Sequence, residues 1–233
     1  MRLAALGLAA LLSTVAATTA AQSQTAPTQG AWTPPRSALS SAIPSFEEDT
    51  ALQAAVAAET RPAADRARDA ARRPYEALTF WGLTPGMTVV EIEPGSADFI
   101  LVARAFHNWS RDGRTEPYLK AFYAALKPGG ILAVEQHRSA EGLNVADVAS
   151  TGYVPESYVI HEAQDAGFVL EARSELNANP RDDHDHPFGV WTLPPVRQSQ
   201  ARDGSAALTP DQRATFDAVG ESDRMTLRFR KPE

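Results

Sequence analysis

Two apolar strand patterns in this chain lie closer together than a parallel sheet allows. Residues 88–92 (TVVEI) and 99–103 (FILVA) both read as buried strands, and only the six residues 93–98 join them. A connection that carries a chain back to a parallel neighbour takes roughly a dozen residues or more. These two strands therefore form a hairpin, or one of them leaves the sheet. The next pair is under no such restriction. Residues 131–135 (ILAVE) are a third strand pattern, preceded by a helix over 115–126 with Tyr118, Phe122 and Leu126 on one face. Lys127-Pro-Gly-Gly130 breaks that helix, its glycines permitting a tight turn. A helical crossover of this kind predicts that 99–103 and 131–135 pair in parallel.

The flanking segments read in the same way. Leu52 and Val56 mark a short helix, Pro62 opens a second, and Pro74 opens a third with Leu78 and Trp81 one turn apart. Residues 84–87 (TPGM) are a turn. A helix over 155–166 stops at Gly167, and 168–176 and 226–230 are the last strand patterns. Between these strands lies a Pro- and Asp-rich stretch with one short helix. Thr209-Pro-Asp-Gln212 has the capping-box spacing for its start, and Gly220 ends it. The expectation is an α/β domain with helices on the sheet faces and additional helices at its N-terminal side.

Residues 1–21 read as a signal peptide. Arg2 supplies the positive start, 3–15 the apolar run, and Thr19-Ala20-Ala21 the small residues before cleavage. The run is too short to remain as a spanning helix, and no later segment is a transmembrane candidate. Residues 22–45 form a polar, Pro-containing leader, and 46–233 the folded domain. The expected location is periplasmic or secreted. The chain carries a formal charge of −7 with no Lys/Arg stripe, so nucleic acid is not an expected partner. The absence of cysteine excludes disulfides, thiol nucleophiles and Cys-ligated metal.

Several segments together resemble a known family. FYAALKPGGILAV (122–134) resembles the segment before and through the fifth strand of class I S-adenosylmethionine-dependent methyltransferases. TPGMTVVEIE (84–93) resembles the first strand of the same fold. The chain from about Ala51 onward resembles an exported bacterial branch of predicted methyltransferases, on RPAADRARDAARRPYEAL, HNW, GYVPESYVI, NANPRDDHDHPFGVWTLPP and GESDRMTLRF. The resemblance implies a Rossmann-like three-layer α/β sandwich and methyl transfer from S-adenosylmethionine to a small-molecule substrate. It also exposes a departure. After the first strand the family has a glycine-rich loop, then further helices and strands, before the fourth strand. Here Glu91-Ile-Glu-Pro-Gly95 runs directly into the segment that resembles the fourth strand. The fold implied is therefore a truncated one.

The resemblance implies Glu91 and Gly95 as cofactor-binding residues. Glu91 either helps hold the cofactor's amino-acid end or is an exposed acid at a strand end. His107-Asn108-Trp109 follows the second strand pattern, and ligands of open α/β sheets bind beyond the carboxyl ends of strands. His107 is the candidate catalytic base, and Asn108, Trp109, His137 and Arg138 are candidate substrate contacts. Trp191 is expected to pack over the substrate side, and Glu221-Ser-Asp-Arg224 to form an ion-paired turn. Asp182-Asp-His-Asp-His186 is the densest ligand cluster, yet spacing fixes no third ligand. It reads as a solvated loop tied down by Pro180 and Pro187, and no metal ligand is assigned. The alternative to an enzyme is a non-catalytic periplasmic ligand- or metal-binding protein derived from the same fold.

Overall fold

A computed structural model describes residues 49–87 and 97–233 of the chain. The expected signal and leader, the strand pattern at 88–92, and the candidates Glu91 and Gly95 lie outside the described residues. Four short helices come first: α1 (Thr50–Ala57), α2 (Ala63–Arg66), α3 (Asp69–Arg72) and α4 (Pro74–Phe80). The Asp49 carboxylate caps α1 by accepting from the Leu52 N–H at 2.9 Å. Pro74 occupies the start of α4, where its missing N–H leaves no helical bond unmade. Ala77, Phe80 and Trp81, at i, i+3 and i+4, are the buried stripe of that helical turn. The Trp81 indole N–H donates to the Leu227 carbonyl at 3.2 Å and ties this stripe to the sheet.

The sheet is built from β1 (Ala97–Ala103), β2 (Leu126–Ser139), β3 (Val154–Pro155), β4 (Val169–Ser174) and β6 (Arg224–Arg230). A short strand, β5 (Pro187–Val190), precedes the last helix. Strand order is β1-β2-β6-β4, with β3 beside the end of β2. β1 and β2 run parallel, with Phe99 opposite Ile131 and Val102 opposite Val134. The crossover between them holds α5 (Phe106–Arg111) and α6 (Thr115–Ala125), which is the expected parallel pairing. β6 enters antiparallel between β2 and β4. The remaining helices are α7 (Val145–Val148), α8 (Glu156–Asp165) and α9 (Pro210–Val219).

Strand alternation divides the core into two. Phe99, Ile131 and Ala133 face α4 together with Phe80 and Trp81. The alternate positions Val102, Leu132, Val134, Leu227 and Phe229 face the opposite way, against Leu119 of α6 and Val159, Ile160 and Ala163 of α8. Helices thus cover both faces, and the architecture is the expected three-layer α/β sandwich. Among the described residues no helix is long and apolar enough to cross a membrane.

Local expectations hold with one instructive difference. The Thr209 hydroxyl accepts from the Gln212 N–H at 3.2 Å, and the Gln212 side chain accepts from the Thr209 N–H at 2.9 Å, the reciprocal capping box. Helix α6 ends just before Lys127-Pro-Gly-Gly130 as expected, but this segment is also a bulge inside β2, which begins at Leu126 rather than at 131. Ala97 pairs with Leu126 and Phe99 already with Ile131, so 127–130 loop out. The Gly129 N–H donates to the Lys231 carbonyl at 3.0 Å, and the Lys231 N–H to the Gly130 carbonyl at 2.9 Å. The far end of the chain satisfies these backbone groups, which no local reading of 127–130 reveals.

Candidate functional site

β1 and β2 end side by side, and the chain leaves β1 at Arg104 in a left-handed conformation, φ 54°. Non-glycine residues held in this region cost energy and cluster at functional sites. The Arg104 N–H donates to the Glu135 carbonyl at 2.7 Å, which aims the side chain over the ends of the strands. There it borders a cleft of about 430 Å³ lined by Arg72, Arg104, His137, Trp191, Ser222 and Arg224, among others.

Charge in this cleft is unbalanced. Glu221 binds Arg72 at 3.2 Å and Arg224 at 2.8 Å, and Glu135 binds Arg224 at 3.1 Å. Arg104 reaches Glu135 only at 3.9 Å, and among the described residues its guanidinium has no hydrogen-bonded partner. Three arginines therefore meet two carboxylates. Burial, with the neighbouring Arg72 charge, pushes the Arg104 guanidinium below its ordinary pKa. His137 reports the same field. Burial, and then the charges of Arg224 and Arg104 among others, push its imidazole down to about 3.

His137 is therefore neutral at pH 7, with its Nδ1 2.6 Å from the Ser222 hydroxyl. At so low a pKa it is a hydrogen-bonding wall of the cleft rather than an effective proton acceptor. His107 lies behind it, ring centroids 6.2 Å apart, with Trp191 edge-on at 5.9 Å. Its Nδ1 sits 3.4 Å from the Gln136 amide nitrogen. An amide NH2 only donates, so Nδ1 accepts and the neutral ring carries its proton on Nε2. Burial also lowers the His107 pKa, with help from Arg111. The expected base thus presents an N–H rather than a lone pair. Gln136 is a residue sequence reasoning passed over. It is fully buried, accepts from the Phe106 N–H at 3.1 Å and donates to the Gly152 carbonyl at 2.9 Å.

Two other expected contacts have different surroundings. Trp109 stacks on Tyr118 at 4.6 Å and packs against Phe106 and Phe122, on the helix side of the sheet. Asn108, on the same turn of α5, is half-buried. Arg138 is the hub of an ion-pair cluster. It binds Asp223 at 2.9 and 3.0 Å, Glu175 at 3.0 and 2.7 Å and Glu156 at 3.1 Å, which leaves its guanidinium no face for a substrate. The structure brings His107, His137 and Trp191 together and directs Trp109 and Arg138 elsewhere. The expected ion-paired turn at 221–224 is present through Glu221 and Arg224.

The loop from Asp182 to His186 is only partly solvated: Asp183 and Asp185 are exposed, Asp182 and His186 are not. The Asp182 side chain is fully buried and that of His186 is 1% exposed. The Asp182 carboxylate accepts from Tyr153 Oη at 2.9 Å, the Asp223 N–H at 2.7 Å, the His184 N–H at 2.9 Å and His186 Nε2 at 2.8 Å. Burial alone would raise its pKa. The bonds from His186, the two N–H groups and Tyr153 outweigh that and hold it below the usual carboxylate range. A polar sequence conceals this because the partners come from 153 and 223, far along the chain.

No family profile and no curated protein matches the chain. Solved structures do match. A candidate sarcosine dimethylglycine methyltransferase from Galdieria sulphuraria is 16% identical over 72% of this chain and 65% of its own, with a TM-score of 0.38. Phosphoethanolamine N-methyltransferase 2 of Haemonchus contortus, solved with phosphomonomethylethanolamine and S-adenosylhomocysteine, is 17% identical over 61% of this chain and 35% of its own, TM-score 0.36. A candidate exported protein from Bordetella parapertussis is 16% identical over 72% and 51%, TM-score 0.26. The chain spans less than two thirds of the length of each.

The described residues do not by themselves fit S-adenosylmethionine. A ribose diol is held by a carboxylate, and the acids at the cleft, Glu135 and Glu221, are both already ion-paired with arginines. Groups to hold this cofactor would have to come from 88–96, where Glu91 and Gly95 lie. What the described residues do fit is an anion, for which Arg104 supplies donors and Ser222 a hydroxyl.

Proposed function

We propose that this chain binds a small anionic nucleophile in the Arg104 cleft, as the substrate half of an S-adenosylmethionine-dependent methyltransferase. One observation carries the reading: an arginine whose guanidinium has no hydrogen-bonded partner among the described residues, with Glu135 no nearer than 3.9 Å, stands at the carboxyl ends of two parallel strands, where open α/β sheets take their ligands. Arg104 binds the anionic group, His137 and Ser222 orient it, and Trp191 closes the cleft over it. The catalytic contribution of these residues is positioning, since neither imidazole is set up as a strong base. The cofactor, when bound, supplies the methyl group, and Glu91 and Gly95 are its proposed holding residues. We further propose that residues 1–21 export the chain, so that mass spectrometry of periplasmic protein gives a mature start near Gln22. Recovery of the full-length chain from the cytoplasm would refute export.

A second reading is a non-catalytic small-molecule-binding protein on the same fold. It is favoured by the lack of a free carboxylate among the described residues of the cleft. Calorimetry of the mature chain with S-adenosylmethionine and S-adenosylhomocysteine separates the two. Each missing charge-assisted hydrogen bond costs about 1.5–3 kcal/mol, so two of them weaken binding by roughly a hundredfold or more. Weak binding is therefore expected. Micromolar binding lost in Glu91→Ala would support the enzyme, whereas no heat at millimolar cofactor would favour the second reading.

A further inference from the structure

We infer that His186 and Asp183 form a binding site for one divalent cation of the zinc type, backed by Asp182. Asp182 has four kinds of donor directed at it and no proton of its own to give, so the proton between Asp182 and His186 belongs to His186 Nε2. In the neutral ring Nδ1 is then a bare lone pair. That atom is buried and has no hydrogen-bond partner. Asp183 Oδ1 lies 3.6 Å from it, so the lone pair is held close to a negatively charged oxygen.

A cation relieves this arrangement, and the spacing suits one. Zinc binds imidazole nitrogen at about 2.0–2.1 Å and carboxylate oxygen at about 2.0–2.2 Å, so a 3.6 Å separation of the two ligand atoms corresponds to roughly 120° at the metal. One ligand atom from each of Asp182, Asp183 and His186 lies within 4.8 Å of the others, and no other group of three His or acidic residues among the described residues does so. Asp182 holds the ring nitrogen opposite the metal, the arrangement by which a buried carboxylate orients a ligating histidine. Phe216 packs edge-on against the ring at 5.5 Å and fixes its plane. Asp183 is 76% exposed, so water completes the coordination sphere. Imidazole with carboxylate and water is a donor set for zinc, nickel or copper rather than for calcium or magnesium. The site is independent of the Arg104 cleft and of the proposed methyl transfer.

The competing occupant of Nδ1 is a proton, which would make His186 an imidazolium between two carboxylates. Cobalt(II) and zinc(II) titrations of the untagged mature chain at pH 7.5 distinguish the two. The expected result is one ion per chain, a visible cobalt absorption band displaced by zinc, and a higher thermal midpoint with zinc than in EDTA. Asp183→Asn changes an exposed side chain, so it should fold as the parent does in EDTA and bind at least about tenfold more weakly. His161→Ala removes the exposed His161–Asp165 pair, 3.5 Å apart on α8, and should bind as the parent does. Absence of uptake at micromolar metal, or equal uptake by Asp183→Asn, would overturn the inference.

Discussion

His137 has an imidazole that its surroundings keep uncharged, and that has a consequence for stability. Its pKa lies near 3 in the folded chain and near 6.5 when unfolded. Between those values the unfolded state binds the extra proton. The stabilising contribution is therefore complete above about 6.5 and is lost as pH falls toward 3, at no more than about 1.4 kcal/mol per pH unit from this residue. Urea unfolding between pH 7 and 4 should show that slope, and His137→Asn should flatten it. His184 works in the opposite sense: the Asp223 carboxylate, 3.6 Å away, raises its pKa against burial, so its contribution is present below about 6.5 and fades above its folded pKa. A second residue-scale expectation concerns Gly189, at φ +57°. An added Cβ would stand 2.3 Å from the Thr151 carbonyl oxygen, so Gly189→Ala must displace backbone beneath Trp191. Its cost should be about 2 kcal/mol or more in unfolding free energy.

At the scale of elements, Arg138 joins the end of β2 to α8 through Glu156 and to the start of β6 through Asp223. Arg138→Ala leaves the nearly buried Asp223 carboxylate without its guanidinium and Glu156 with Arg173 alone, and should cost about 3–5 kcal/mol in denaturant unfolding. Thr209→Ala, which removes only the exposed cap of α9, should cost about 1 kcal/mol. The contrast reflects what sequence can convey. The α9 cap, the place of Trp81 on α4 and the parallel pair of β1 and β2 are set by residues within a few positions, or by connection length, and each was legible, whereas Ala77 and Phe80 complete the buried stripe of α4 where Leu78 was expected. The bulge at 127–130 and the buried Asp182 were not, because their partners at 231, 153 and 223 are unrelated to them by any local period. The candidate site divides along the same line. His107 and His137 were readable from their position after strands, and Trp191 from the apolar, Pro-bounded segment 187–195. The role of Arg104 depends on counting charges contributed by α3, β2, β6 and the turn before it, which only the folded chain brings together.

Across the whole molecule, a parallel pair extended by an antiparallel last strand and covered on both faces places one cationic cleft at the strand ends. That cleft is the centre of the account, and Arg104 is its test. Heteronuclear NMR of the mature chain, titrated with inorganic phosphate at low salt, reads it directly. Saturable shifts are expected at Arg104, His137, Ser222 and Arg224. Arg104→Gln, which removes one charge-assisted contact, should weaken binding about tenfold or more without unfolding the chain. Shifts scattered over the surface, or equal affinity in Arg104→Gln, would contradict it.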